Sequence, residues 1–218
     1  RVSVLDAEMT ASLLDVQGHK GGKVHDISTS REDPRRFASS GVDNRVLVWD
    51  MRTNHGVVAG MFVECHSERR CRGAAGIAGR KRKRLAYSTA GETLVARFLP
   101  GRDQLATGGT DGVVKIWDLR TLGRARAEPV AQFLPPNSSC SYTVGLEASP
   151  CGTQLLTAYR RGAVCVHSLS GGARRDLGSA AAQARQETWD DLAINKCTSQ
   201  WFSDAAVSHD FAHVAVGA

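Results

Sequence analysis

Two stretches of fourteen residues in this chain align with each other without a gap. Residues 37–50, Phe-Ala-Ser-Ser-Gly-Val-Asp-Asn-Arg-Val-Leu-Val-Trp-Asp, match residues 105–118, Leu-Ala-Thr-Gly-Gly-Thr-Asp-Gly-Val-Val-Lys-Ile-Trp-Asp. A weaker third copy covers residues 155–168, and shorter matches stand at residues 2–6 and 214–217. Internal repeats indicate an architecture of stacked supersecondary units, so this feature limits the fold more than any other.

The spacing and the local pattern of the repeats predict β-structure. Equivalent positions are 44, 68 and 50 residues apart (Leu5 to Trp49, Trp49 to Trp117, Trp117 to His167). Four-stranded propeller blades recur at about 40–45 residues, so the long interval is one blade plus an insert. The pairs at 43–44 (Asp-Asn) and 111–112 (Asp-Gly) each separate two apolar runs, as in a tight hairpin.

The opening dipeptide Gly18-His19 precedes Trp49 by thirty residues. Together with the Trp-Asp endings, this pattern resembles the WD40 repeat family. The resemblance implies an all-β fold, a WD40 β-propeller. We predict that residues 1–218 form part of one propeller, with three whole blades and two partial ones from a ring of seven.

The family pattern predicts a buried polar network in each intact blade. It places together, in the first full unit, His19, Ser39, Asp43 and Trp49. A buried donor left without a partner costs roughly 1–3 kcal/mol, which explains why these residue types occur together. The second unit keeps Thr107, Asp111 and Trp117 and shows no histidine at the matching place. In the third unit only Thr157 is kept, with Arg161 and His167 in place of Asp and Trp, so we expect apolar packing to hold that blade.

Positive charge is concentrated in one segment, residues 64–84, which we interpret as a basic insert between blades. It holds eight basic and two acidic residues, and their difference equals the net charge of the whole chain, +6. The run Arg80, Lys81, Arg82, Lys83 and Arg84 predicts nuclear import; a solvated loop is the alternative. No aromatic residue interrupts the run to stack on bases, so we expect no direct binding of nucleic acid by the propeller.

The remaining candidate sites are weaker. Cys65, His66 and Cys71 offer three metal ligands where a structural zinc site needs four, so we expect a solvated loop and no metal. Gly18–Lys23 lacks the first Gly and the final Ser or Thr of a phosphate-binding loop. His25-Asp26 fits a strand position better than an acid–base pair. We expect neither catalysis nor a cofactor.

Two further segments need interpretation. Trp189-Asp190 imitates the repeat ending, but Gln186–Thr188 before it does not alternate like a strand. We therefore do not count this segment as a blade and predict a polar, Ala-rich excursion over residues 171–191, with a short helix over residues 179–192 as the alternative. The chain has no apolar run long enough to span a membrane and no visible signal peptide. Because it opens with Arg1 instead of Met, we expect a processed chain or a segment of a longer protein.

Both intact units end in the same motif, Trp-Asp-x-Arg. It supplies two acid–arginine pairs: Asp50 with Arg52, and Asp118 with Arg120. On adjacent blades, both arginines would leave the sheets at one rim, where guanidinium groups suit bidentate contacts. The doubled motif is similar to that of substrate receptors of cullin-4 ubiquitin ligases, where the arginines face the adaptor called damaged-DNA-binding protein.

Within that set, the chain resembles the denticleless family. The shared features are the Lys/Arg-rich insert, the Val-Lys-Ile-Trp-Asp-Leu-Arg unit, and Glu128-Pro129 followed by Phe133-Leu-Pro-Pro. The resemblance implies a nuclear substrate receptor, which could also occur in the cytoplasm. It would present replication and cell-cycle proteins, including those bound to the sliding clamp, for ubiquitination. The alternatives are a nuclear WD40 scaffold without a ligase and a hydrolase that uses the propeller channel.

Overall fold

The structure is a computed structural model. It describes residues 2–5, 12–20, 22–52, 58–66, 91–124, 127–135, 142–160, 164–169, 186–188, 204–208 and 213–217. Within this part, no helix is long and apolar enough to cross a membrane. Apart from one turn of 3₁₀ helix at Leu119–Thr121, the regular structure here is β-strand.

The described strands form five antiparallel sheets in chain order. Three of these sheets have four strands each and are the first, second and third blades (β3–β6, β7–β10 and β11–β14). Two-stranded sheets, β1–β2 and β15–β16, stand before and after them. The strands are β1 Val2–Leu5, β2 Ser12–Val16, β3 Val24–Thr29, β4 Arg36–Gly41, β5 Arg45–Asp50, β6 Val58–Val63, β7 Thr93–Leu99, β8 Gln104–Gly109, β9 Val114–Asp118, β10 Ala131–Phe133, β11 Thr143–Ala148, β12 Gln154–Tyr159, β13 Val164–Ser168, β14 Gln186–Thr188, β15 Asp204–Val207 and β16 Val214–Gly217.

The arrangement confirms the predicted propeller fold, with three blades and two partial ones. First strands β3, β7, β11 and β15 contact one another in sequence and form the inner edge of the blades. The second and third strands of each blade are joined by the tight turns predicted from the Asp-Asn and Asp-Gly pairs. Asn44 and Gly112 occupy equivalent positions in these turns with φ of 57° and 71°, a conformation that Asn and Gly tolerate.

Apolar side chains from the facing sides of neighbouring blades fill the spaces between the sheets. Between the first two blades the core contains Val46, Val48 and Phe62 on one side and Leu105 and Trp117 on the other. The rings of Phe62 and Trp117 lie 4.9 Å apart. A second core joins the next two blades in the same way. Each blade thus buries both faces only because it has neighbours.

The structure corrects two sequence predictions. Gln186–Thr188, which we expected to lie in a polar excursion, forms strand β14 and pairs with β13. Pairing with an existing edge supplies the backbone hydrogen bonds of an outer strand, whatever the alternation of its side chains. The rest of the predicted excursion, 171–185 and 189–191, lies outside the described residues.

The beginning of the basic insert is also different from the prediction. Cys65 and His66 are 0% and 1% exposed, and Cys65 lies in the core between the first two blades, so these two residues are buried and do not lie in a solvated loop. The rest of the insert, including the import candidate Arg80–Arg84, lies outside the described residues, as do Cys71 and Arg161.

Substitution of Gly152 should destabilise the chain strongly. This residue has a φ of +66°, and a Cβ there would lie 2.0 Å from the carbonyl oxygen of Pro100 in the neighbouring blade. Gly123 has a similar φ, +77°, with open space around it. We expect Gly123→Ala to lower the free energy of unfolding by about 1 kcal/mol through backbone strain, and Gly152→Ala by about 3 kcal/mol because the clash is added.

Urea unfolding of the two variants measures this difference. Equal losses in the two variants would show that the contact between the second and third blades is not tight at this point.

Candidate protein-binding rim

A continuous chain of hydrogen bonds crosses the first blade. His19 Nδ1 lies 2.8 Å from Asp43 Oδ1, and His19 Nε2 lies 2.9 Å from Ser39 Oγ. The indole Nε1 of Trp49 donates to the same hydroxyl at 2.9 Å. The structure thus brings together the four residues that the sequence pattern grouped. Three separate stretches of chain are joined: the segment before β3, strand β4, and the turn and strand around β5.

The second blade contains an equivalent network, and His66 supplies its histidine. His66 Nδ1 lies 2.8 Å from Asp111 Oδ1, and its Nε2 lies 3.0 Å from Thr107 Oγ1. Trp117 Nε1 donates to Thr107 Oγ1 at 2.8 Å. The sequence prediction that this blade has no histidine was wrong. His19 precedes its aspartate by 24 residues and His66 by 45, because the insert follows His66.

The protonation of the second network follows from its burial. Loss of solvent lowers the pKa of His66, so the imidazole is neutral. Burial alone would raise the pKa of Asp111, but the hydrogen bond from His66 helps to lower it, so the carboxylate is ionised. The imidazole therefore donates from Nδ1 to the carboxylate and accepts the Thr107 hydroxyl proton at Nε2, while that hydroxyl oxygen accepts the indole proton.

The third blade has no such network among the described residues. Thr157 Oγ1 and both ring nitrogens of His167 are buried without a hydrogen-bond partner in this part of the chain. The imidazole instead stacks on Phe133 of the second blade, with 4.5 Å between ring centroids. This contact is structurally equivalent to the Phe62–Trp117 contact between the first two blades. The aromatic packing between blades is therefore kept in the third blade, although the polar network is not.

Both Trp-Asp-x-Arg motifs end on the same rim of the blades. We define the rim by two sets of segments at this end of the blades. The first set is the turns between the first and second strands of the three blades, residues 30–35, 100–103 and 149–153. The second set is the segments that follow the third strands of the first two blades, residues 51–52 and 119–124. Met51 N donates to Arg35 O, and Leu119 N donates to Asp103 O, both at 2.9 Å. Gly101 N donates to the carboxylate of Glu32, which joins the turns of the first two blades.

The Arg120 guanidinium is held by its own motif. Its Nε donates to both carboxylate oxygens of Asp118, at 2.9 and 3.1 Å, and its Nη2 donates at 2.6 Å. The hydrogen bond from Arg120 lowers the pKa of Asp118, so the pair is ionised at neutral pH. The Arg120 side chain is nevertheless 77% exposed, so it is oriented and still open to a partner.

The Arg52 guanidinium is held differently. Its Nη2 donates to Asp33, in the turn between β3 and β4, while its Nε lies 3.7 Å from Asp50. The side chain is 46% exposed. The sequence reasoning missed Asp33 because this residue lies outside the repeated motif.

The inner strands carry a second set of charges. Arg97 of β7 donates to Asp26 of β3 and to Glu147 of β11, so one guanidinium joins the inner strands of all three blades. His25 lies 3.2 Å from Glu92, so His25 and Asp26 contact different partners and do not act as a pair. No group of three or more His, Cys, Asp or Glu side chains suited to a metal ion occurs in the described part.

Comparison with known proteins agrees with this geometry. The sequence profile of the WD domain, G-beta repeat, matches residues 11–50 and 88–118, which contain the Trp-Asp motifs of the first two blades. These two segments of the chain are WD40 repeats. The second match begins after the insert and therefore leaves out His66, the histidine of that WD40 unit.

Two individual proteins are similar to this chain. One is the protein lethal(2)denticleless of Drosophila melanogaster, 27% identical over an alignment of 165 residues that covers 71% of this chain and 22% of that protein. The other is the crystal structure of the Cps50 (Swd1) beta-propeller domain of Myceliophteria thermophila, 15% identical, with a TM-score of 0.61 over 99% of this chain and 55% of that one. The chain thus spans less than two thirds of either protein, and the second comparison shows the fold alone.

Removal of the second WD40 histidine should be costly. His66→Ala removes the imidazole that donates to the buried Asp111 carboxylate and leaves Thr107 without its acceptor, so we expect the free energy of unfolding to fall by about 3 kcal/mol or more. His25→Ala is the matched control. Its 3.2 Å pair with Glu92 is partly exposed, so the loss should stay below about 0.5 kcal/mol. Chemical unfolding of both variants measures these two losses of unfolding free energy. A small loss for His66→Ala would mean that the network does not hold this blade.

The third blade should be sensitive to acid through His167. Burial lowers the pKa of His167 to about 4 from its usual value of 6.5. As the pH falls below 6.5, the unfolded chain binds a proton that the folded chain does not accept until about pH 4. The free energy of unfolding should therefore drop by about 3 kcal/mol over this interval from His167 alone.

His167→Phe keeps an aromatic ring against Phe133 and removes the titrating group. Urea unfolding at pH 7 and pH 4 should show a smaller acid-induced loss in this variant than in the wild-type chain. Parallel losses in both proteins would show that His167 is accessible to protons in the folded state.

Proposed function

We propose that this chain belongs to the substrate-recognition subunit of a cullin-4 ubiquitin ligase and binds the damaged-DNA-binding-protein adaptor through the rim. The observation that carries the proposal is the orientation of Arg52 and Arg120. Both guanidinium groups are held by carboxylates, both are exposed, and both lie on one rim of adjacent blades. The similarity to denticleless supports the same assignment.

The geometry suits a binding role. Asp33, Asp50 and Asp118 are 25%, 14% and 15% exposed, so the carboxylates lie behind the more exposed guanidinium groups. An arginine that is already oriented loses less conformational entropy when it binds, and arginines are enriched among the residues that dominate interface energies. The rim therefore presents two prepared cationic contacts to a partner.

In this role the chain catalyses no reaction, and WD40 propellers are typically non-enzymatic scaffolds. It would hold a target protein near the ubiquitin carrier of the ligase, which raises the effective concentration of the target. We propose that the targets are replication and cell-cycle proteins, including proteins bound to the sliding clamp, and that the complex acts in the nucleus.

Substitution of the two motif arginines tests the proposal. The full-length protein should bind the purified adaptor. Arg52→Ala and Arg120→Ala should each weaken binding about tenfold, and the double variant about a hundredfold, since each removes a charged contact worth about 1.4 kcal/mol. Arg45→Ala is the matched control, because Arg45 begins strand β5 at the end opposite Arg52.

Binding is measured by calorimetry or by capture of the adaptor, and circular dichroism checks that each variant is folded. Absence of binding by the folded wild-type protein, or equal binding by the folded double variant, would contradict the proposal. A WD40 scaffold without a ligase would then be the better interpretation.

A further inference from the structure

The two Trp-Asp-x-Arg motifs have the same sequence pattern but different structures. In the second blade, the guanidinium of Arg120 lies against its own Asp118 in a fork of close hydrogen bonds. In the first blade, the Arg52 backbone N–H donates to Asp50 at 2.9 Å, but the guanidinium turns toward Asp33. A residue outside the motif thus sets the direction of one of the two arginines.

A longer turn makes this contact available. Seven residues, 30–36, separate the paired residues Thr29 and Phe37 in the first blade. Six residues, 99–104, separate Phe98 and Leu105 in the second blade, and six also form the equivalent turn of the third. Asp33 lies in the longer turn.

Hydrogen bonds within the turn fix Asp33 independently of Arg52. Its backbone N–H donates to Ser30 Oγ at 3.2 Å, and its carbonyl accepts the Arg36 N–H at 2.9 Å. Its carboxylate accepts the Arg35 N–H at 3.2 Å. The hydrogen bond from Arg52 lowers the pKa of Asp33, so this carboxylate is ionised at neutral pH. The acceptor for Arg52 is therefore placed before a partner arrives.

The same turn is attached to the next blade. Glu32, beside Asp33, accepts the backbone N–H of Gly101 in the turn that also holds the chain before Arg120. The position of Arg52 is thereby linked to the blade that carries Arg120. A partner that contacts both arginines would meet two groups at a fixed separation.

We infer that Asp33 is a positioning residue for the binding rim: it holds the Arg52 guanidinium beside the neighbouring blade, so that Arg52 and Arg120 contact one partner together. This inference rests on the proposed adaptor-binding role of the rim. The hydrogen bonds and ion pairs to Asp33, Asp50 and Asp118 occupy Nε and Nη2 of each arginine. Among the described residues, no contact occupies either Nη1, so each is available to an oxygen acceptor of the partner.

Asp33→Asn tests the inference in the full-length protein. Asparagine keeps an oxygen that can accept the Arg35 N–H and loses the charge that attracts Arg52. We expect adaptor binding to weaken about fivefold to tenfold, with an unchanged melting temperature. Asp33→Glu, which keeps the charge, should restore binding to within about threefold of wild type. Glu64→Gln is the matched control, because Glu64 is an exposed acid that follows strand β6 at the end of the first blade opposite Arg52, and it should bind within about twofold of wild type.

A double-mutant cycle distinguishes positioning from a direct or merely structural role. In the Arg52→Ala background, Asp33→Asn should cause no further loss of affinity, because Asp33 acts through Arg52. Wild-type binding that depends on Arg52 but not on Asp33 would overturn the inference and leave the proposed function intact. Independent, additive losses would also overturn it. Failure of the wild-type protein to bind the adaptor would overturn the proposed function and, with it, this inference.

Discussion

The buried hydrogen bonds of a histidine with an aspartate and a hydroxyl group determine how each intact blade is built. Asp43 and Asp111 lie in the turns before the third strands, and Trp49 and Trp117 lie near the ends of those strands. Each network therefore fixes its third strand along its whole length, and the segment before the blade is tied to it. Because Asp50 and Asp118 follow the tryptophans directly, the same bonds determine where Arg52 and Arg120 leave the sheets. The position of the two rim arginines is thus linked to buried hydrogen bonds that reach the opposite end of the blade.

The third blade shows what happens when the network is lost. His167 and Thr157 occupy the positions of the tryptophan and its acceptor and are buried, but they do not bond to each other. The core between the second and third blades continues through Leu146, Leu155 and the stacked Phe133 ring. The backbone ladders between the strands and this apolar packing hold the sheet, with no such polar network among the described residues. Ser170 stands at the sequence position equivalent to Arg52 and Arg120, so the matching motif of this blade has no arginine. Among the described blades, the two that contain the polar network are also the two whose third strand is followed by an exposed arginine on the rim.

The sequence predicted the fold well because the repeat is local: strand alternation, turn residues and the Trp-Asp ending all lie within fourteen residues. It failed where the deciding contact is distant in sequence. His66 pairs with Asp111 across 45 residues that include the insert, so spacing alone could not reveal it. A better signal was the parallel between Gly18-His19 and Cys65-His66, each placed after an outer strand. Asp33 could not be found, because its role depends on a turn one residue longer than its counterpart. Strand β14 carries no alternation and exists because β13 offers an unpaired edge.

Hydrogen–deuterium exchange of the full-length protein with and without the adaptor tests the central claim most directly, since it reports which end of the blades the partner covers. We predict slower exchange in the part of the rim that belongs to the first two blades, residues 30–35, 51–52, 100–103 and 119–124, when the adaptor is bound. Exchange in the turns at the opposite end, residues 42–44 and 110–113, should be unchanged. Protection of those opposite turns with no change in the rim would contradict the account, because the oriented arginines would then lie away from the partner.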